Sequence, residues 1–173
     1  MYLISLYFDE NANKILQKNI QRICNATGNT FMIEHNVPPH MTISSIEARN
    51  VDVLREPFLS LKGKLETGSV QFMSVGQLLP YVFYVTPVLN NYLQEMSQQI
   101  YKCMGDIKET TISRYYKPGS WLPHVTLGKT LSKEQMREAF AVMQDNFQPF
   151  EAIVTQIGLA KVNPHEDVER IVL

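Results

Sequence analysis

A five-residue pattern occurs twice in this chain, and it constrains the fold more than any other feature. Pro39-His40-Met41-Thr42-Ile43 and Pro123-His124-Val125-Thr126-Leu127 both read proline, histidine, apolar, threonine, apolar. Both lie in runs rich in β-branched and apolar residues, the composition of strands. Strand side chains alternate between faces, so each histidine shares a face with the threonine two residues on. Met41, Ile43, Val125 and Leu127 are left for the core. Each copy therefore presents one imidazole and one hydroxyl side by side on a rigid strand. Two such pairs facing each other suit a tetrahedral anion, with a proton acceptor on one side and a donor on the other.

The rest of the chain repeats around these copies. Tyr2 to Phe8 reads as a strand. Ala12, Ile15, Leu16, Ile20, Ile23 and Cys24 then fall at helical spacing, with Gly28 as the stop. After the first motif, a helix is expected from about Val51 to Leu61 with Val53, Leu54, Phe58 and Leu61 inward. Strands follow at Lys64 to Gln77 and Tyr81 to Thr86. Leu89, Leu93, Met96, Ile100 and Met104 mark the next helix, and a loop from Asp106 to Ser120 leads to the second motif. Ser132 with Gln135 three residues on is a capping-box pattern, opening a helix whose buried stripe is Met136, Ala139, Phe140 and Met143. Strands at Phe150 to Val162 and Val168 to Leu173 complete the chain.

The two histidines are 84 residues apart, and Val70, Met73 and Val75 align with Val154, Ile157 and Leu159 at the same offset. Internal duplication is the simplest account. It predicts one bilobal domain over 1–173, with pseudo-repeats of about 1–80 and 81–173, two α+β lobes and a pseudo-two-fold axis. The motif strands would face a common cleft near that axis. A single His-x-Thr is common by chance; two copies placed equivalently in two halves are hard to explain as packing.

Composition narrows the partners. Formal net charge is −1 and pI about 6.4, so no global field draws the protein onto duplex nucleic acid. A nucleotide ligand is then a small molecule or a strand end. Cys24 and Cys103 fall in helical patterns and read as small core residues of a reducing compartment. The apolar start, Met1 to Phe8, lacks a basic leader and is cut off by Asp9-Glu10, and no run is long enough to cross a membrane. A cytoplasmic monomer is the expectation.

His40-Met41-Thr42-Ile43 and His124-Val125-Thr126-Leu127 resemble the signature of the two-histidine (2H) phosphoesterase superfamily, which includes 2′-5′ RNA ligase-like proteins and cyclic nucleotide phosphodiesterases. The resemblance spans essentially the whole chain. It implies an α+β fold in which antiparallel sheets with flanking helices surround a central groove. It also implies metal-independent phosphoesterase chemistry without a cofactor, typically opening a 2′,3′-cyclic phosphate to a 2′-phosphate or acting on related RNA-end linkages. The residues agree on chemical grounds. Histidine titrates near pH 6.5, so His40 and His124 suit a base and an acid on opposite sides of phosphorus. The Thr42 and Thr126 hydroxyls suit donors to the non-bridging oxygens. Which histidine is the acid is open at this stage.

Around the second motif, Arg114 to Trp121 interleaves aromatic and basic residues. Tyr115 and Trp121 are candidate base-stacking contacts, with edge packing as the equal alternative. Ser44 shares the parity of His40 and Thr42 and is placed to line the groove. Lys129 has the core parity and reads as a surface residue. His35 and His165 lie in polar loops and read likewise. Two other function classes remain in view. A non-catalytic nucleotide or RNA-end binding module would keep the same groove. A metallohydrolase would need three protein ligands, and no Asp, Glu or Cys accompanies either histidine at metal spacing.

Overall fold

The computed structural model describes residues 1–162 and 165–173. Among the described residues, eight strands and five helices follow one another along the chain. β1 is Tyr2–Phe8, β2 Met41–Ala48, β3 Gly68–Leu78, β4 Val82–Pro87, β5 Thr110–Ile112, β6 Val125–Gly128, β7 Phe150–Lys161 and β8 Glu166–Val172. The helices are α1 Glu10–Thr27, α2 Phe31–Glu34, α3 Asp52–Leu59, α4 Asn91–Met104 and α5 Lys133–Asn146. The fold is α+β, with a large antiparallel sheet and flanking helices.

Local chemistry explains the helix limits. The Asp9 carboxylate accepts from Ala12 N at the start of α1, and Gly28 closes it at φ 67°. Ser132 opens α5 in a full capping box with Gln135. α3 begins at Asp52 and carries Pro57 without breaking. Its inward residues are Leu54 and Phe58; Val53, expected inward, is exposed, as is Leu89, which precedes α4. The loop expected at 106–120 contains β5, paired with the far end of β2, and a 3-10 turn at Arg114–Tyr116.

Pairing closes the sheet on itself: β1 to β2, β2 to β6, β6 to β4, β4 to β3, β3 to β7, and β7 back to β1. β8 extends the ring from β7. The ring comprises two antiparallel triples, β2-β1-β7 and β6-β4-β3, with matching wiring. Each triple takes its third strand from the other half of the sequence. One seam is the five-pair register from Gly68↔Val154 to Phe72↔Phe150; the other is the single pair Met41↔Val125. A cut near residue 80 therefore leaves neither half with a complete triple.

The core lies on the helix-facing side. Met41, Ile43, Val125 and Leu127 are buried there with Ile4, Leu6, Phe72, Val85 and Ile157, as parity requires. Met73 corrects the alignment made from sequence: it is 42% exposed, whereas its proposed equivalent Ile157 is fully buried. Val70 and Phe72 are the buried residues of β3, so plain alternation turns Met73 outward; the register shift between Phe72 and Ser74 then brings Val75 inward. Burial pairs Val70 with Ala152 and Phe72 with Val154, an offset of 82 rather than 84. The opposite face of the triples carries the polar and aromatic side chains from which the site is built.

Candidate active site

Both histidines stand one residue before their strands, and each ring is tied back to the backbone in the same way. His40 Nδ1 lies 2.8 Å from Pro38 O, and His124 Nδ1 lies 2.9 Å from Leu122 O. A carbonyl only accepts, so each Nδ1 carries the proton and donates. Each Nε2 is then the nitrogen left to exchange a proton with a ligand. The intervening Pro39 and Pro123 explain the repeated proline. Their fixed φ, and the extended bias they impose on the residue before, turn the carbonyl two positions back toward the ring. Adjacent pairing of Met41 with Val125 brings the two motifs side by side. Burial holds both imidazoles below their ordinary pKa, against the opposing pull of the two carbonyls.

The surroundings of His40 are crowded with polar groups. The Tyr7 ring centroid is 6.1 Å away, and that of His165 is 6.2 Å away in a stacked arrangement. The Arg170 guanidinium lies over Tyr7, its Cζ 3.5 Å from the ring centroid, and donates to Asp167 Oδ2 at 2.9 Å. His165 Nε2 is 3.5 Å from Asp167 Oδ1 without hydrogen-bond geometry. The positive charges of His165, His124 and Arg170 add to burial in lowering the His40 pKa. Tyr7 keeps a neutral phenol, its pKa pushed up to about 12 by burial, and its Oη has no partner among the described residues.

His124 has simpler company. Tyr84 lies 5.3 Å from it between ring centroids. The Thr86 hydroxyl donates to Pro123 O at 2.8 Å and fixes the segment leading to the motif. Thr126 is partly exposed on the same face as Tyr84, its partner in β4. Thr42 is buried, with its hydroxyl 3.4 Å from Ser5 Oγ. Tyr7 and Tyr84 each cross a glycine: a Cβ at Gly158 would meet Tyr7 Cε2 at 2.8 Å, and one at Gly76 would meet Tyr84 Oη at 2.6 Å.

Trp121 requires a correction. It is 8% exposed, and its indole N–H donates to Thr42 O at 3.0 Å. It packs in the core and holds the first motif from the second motif's approach segment, so its ring is not offered to a base. Tyr115 is 63% exposed and accepts from Arg114 at 2.8 Å. Ser44 is buried, and its hydroxyl has no partner among the described residues. His165, read from sequence as a surface residue, instead stacks beside His40. Tyr7, Tyr84 and Arg170 were not singled out in the sequence. Parity in β1 and β4 could have marked the tyrosines, but they sit 77 residues apart, away from the offset of the motifs. No helix of the described chain is long and apolar enough to cross a membrane, and among the described residues no cluster of three His, Cys, Asp or Glu could hold a metal.

Residues 35–166 match the family model of the 2′-5′ RNA ligase superfamily. No curated protein matches the chain by sequence. A crystal structure of a phosphoesterase is similar at 12% identity with a TM-score of 0.62, covering 99% of this chain and 97% of that one. LigT from E. coli, crystallised with 3′-AMP, is similar at 13% identity with a TM-score of 0.61 and the same coverages. Usb1 from Kluyveromyces marxianus is similar at 12% identity with a TM-score of 0.50, again over 99% and 97% of the two chains. At such identities the likeness is one of fold.

Proposed function

The chain belongs to the 2′-5′ RNA ligase superfamily, and on that premise we propose that it is a phosphoesterase acting as a cytoplasmic monomer on a nucleotide or RNA end. Its substrate is a 2′,3′-cyclic phosphate or a 2′-5′-type bond, and the reaction needs no metal or cofactor. The observation that carries this reading is the matched pair of imidazoles. Each is locked by a carbonyl at Nδ1, its Nε2 making no hydrogen bond among the described residues, on motifs that neighbour each other through Met41 and Val125. The 3′-AMP in the LigT crystal supports a nucleotide-sized ligand.

For a cyclic phosphate the steps follow from the groups. One imidazole is the neutral base; its Nε2 takes a proton from water as the oxygen attacks phosphorus. The other enters protonated and gives its Nε2 proton to the departing 3′-oxygen, leaving a 2′-phosphate. The Thr42 and Thr126 hydroxyls donate to the non-bridging oxygens, where negative charge grows. Tyr115 remains a candidate contact for the far end of a longer substrate.

The test is turnover of a panel of 2′,3′-cyclic nucleotides by purified protein in EDTA. Formation of 2′-nucleotide at an undiminished rate supports the reading. Activity that vanishes with chelation and returns with zinc overturns it.

A further inference from the structure

We propose that a pocket beside His40, between the start of α1 and β8, is the subsite for the substrate's nucleobase. The inference rests on the phosphoesterase reading of the two histidines and adds which side of the phosphate the nucleoside occupies. The pocket has a volume of about 380 Å³, at the lower end of the range for small-ligand sites and suited to a single nucleoside portion. Pro38 and Pro39 form one wall. The same Pro38 carbonyl holds the His40 ring, so the pocket adjoins the reacting imidazole.

Its polar groups are those that recognise a base rather than a second phosphate. Arg170 is the one charged residue in the lining, and Asp167, just outside, already neutralises it. Its guanidinium carbon lies over Tyr7, 3.5 Å from the ring centroid, leaving the other side of the guanidinium as a surface on which a base can stack. Three amides supply the edge contacts. Asn13 Nδ2 donates to Phe8 O at 2.9 Å, which leaves Oδ1 as an acceptor. Gln156 Oε1 accepts from Arg170 at 3.4 Å, which leaves its NH₂ group as a donor. Gln17 lines the pocket and makes no side-chain hydrogen bond among the described residues. Donor and acceptor side by side next to a planar cation match the edge and face of a nucleobase. β8, which supplies Arg170, pairs with β7 and lies outside the repeated wiring.

The experiment is an NMR titration of ¹⁵N-labelled full-length protein with 2′-AMP and, in parallel, with base-free ribose 2-phosphate. Both ligands should move the imidazole nitrogens of His40 and His124. The nucleotide alone should move the side-chain amides of Gln17 and Gln156 and the Arg170 Nε. In the double variant Gln17→Ala, Gln156→Ala, the ratio of nucleotide to base-free affinity should fall by about tenfold, about 1.4 kcal/mol. A nucleotide that moves the imidazoles and leaves the amides still overturns the subsite. An unchanged affinity ratio in the double variant does the same. Amides that move without the imidazoles keep the subsite and sink the phosphoesterase reading; no shift at either place sinks both.

Discussion

The His40 and His124 environments share a plan and differ in their company. Each has a proline-fixed carbonyl on Nδ1, a tyrosine ring alongside, and a glycine under that tyrosine. Only the His40 side has β8, which brings Arg170 against Tyr7 next to His40. His165, just before β8, stacks on the same imidazole. Both imidazoles are lowered first by burial, but His40 alone also faces added cationic neighbours. A repeated scaffold thus supplies two like imidazoles, and a strand outside the repeat makes them unlike. A base and an acid need that difference, because one must be neutral while the other is protonated.

The largest test removes the pair. His40→Ala and His124→Ala should each lower kcat by about 10²–10⁴-fold. The double variant should lose little more than the worse single one, since groups acting as a unit do not add. Both pKa values are depressed, so kcat/KM should peak at a pH below the ordinary histidine value of about 6.5. The residual rate of one alanine variant should retain only the alkaline limb, and that of the other only the acid limb. An optimum well above neutrality, or fully additive losses, would break the assignment of unlike roles.

A smaller difference is expected beneath the tyrosines. Gly158→Ala drives a methyl into the ring of Tyr7, which is 4% exposed and pinned under Arg170. It should cost about 1–3 kcal/mol in urea unfolding and lower activity by displacing Tyr7 against His40. Gly76→Ala meets Tyr84 Oη at 2.6 Å and its Cζ at 2.7 Å, but Tyr84 is half-buried and free to swing aside, so the change should cost less. Equal costs would mean that the two sides are equally rigid.

The smallest effect probes how the halves are tied. Trp121→Phe removes the donor to Thr42 O and should cost about 1–2 kcal/mol of stability. Its activity loss should appear in kcat through Thr42, with KM nearly unchanged. A raised KM at constant kcat would return Trp121 to the base-stacking role expected from the sequence.

The sequence by itself determined the paired motifs, the core parity of Met41, Ile43, Val125 and Leu127, the Gly28 stop and the Ser132 capping box. These follow from periods of two and 3.6 and from contacts a few residues apart, all of which are local. Tertiary structure alone decided which strands pair. The exchange of β3 and β7 between the triples depends on partners 78 to 86 residues apart, and the shift between Phe72 and Ser74 that turns Val75 inward depends on its ladder with β4. His165 looked like loop and Trp121 like a ligand contact for the same reason. A side chain's alternation is set by its own strand, but what stands opposite it is set by a strand far away in the chain. His165 meets His40 only because β8 docks on β7, and Trp121 meets Thr42 only because the second motif runs beside the first.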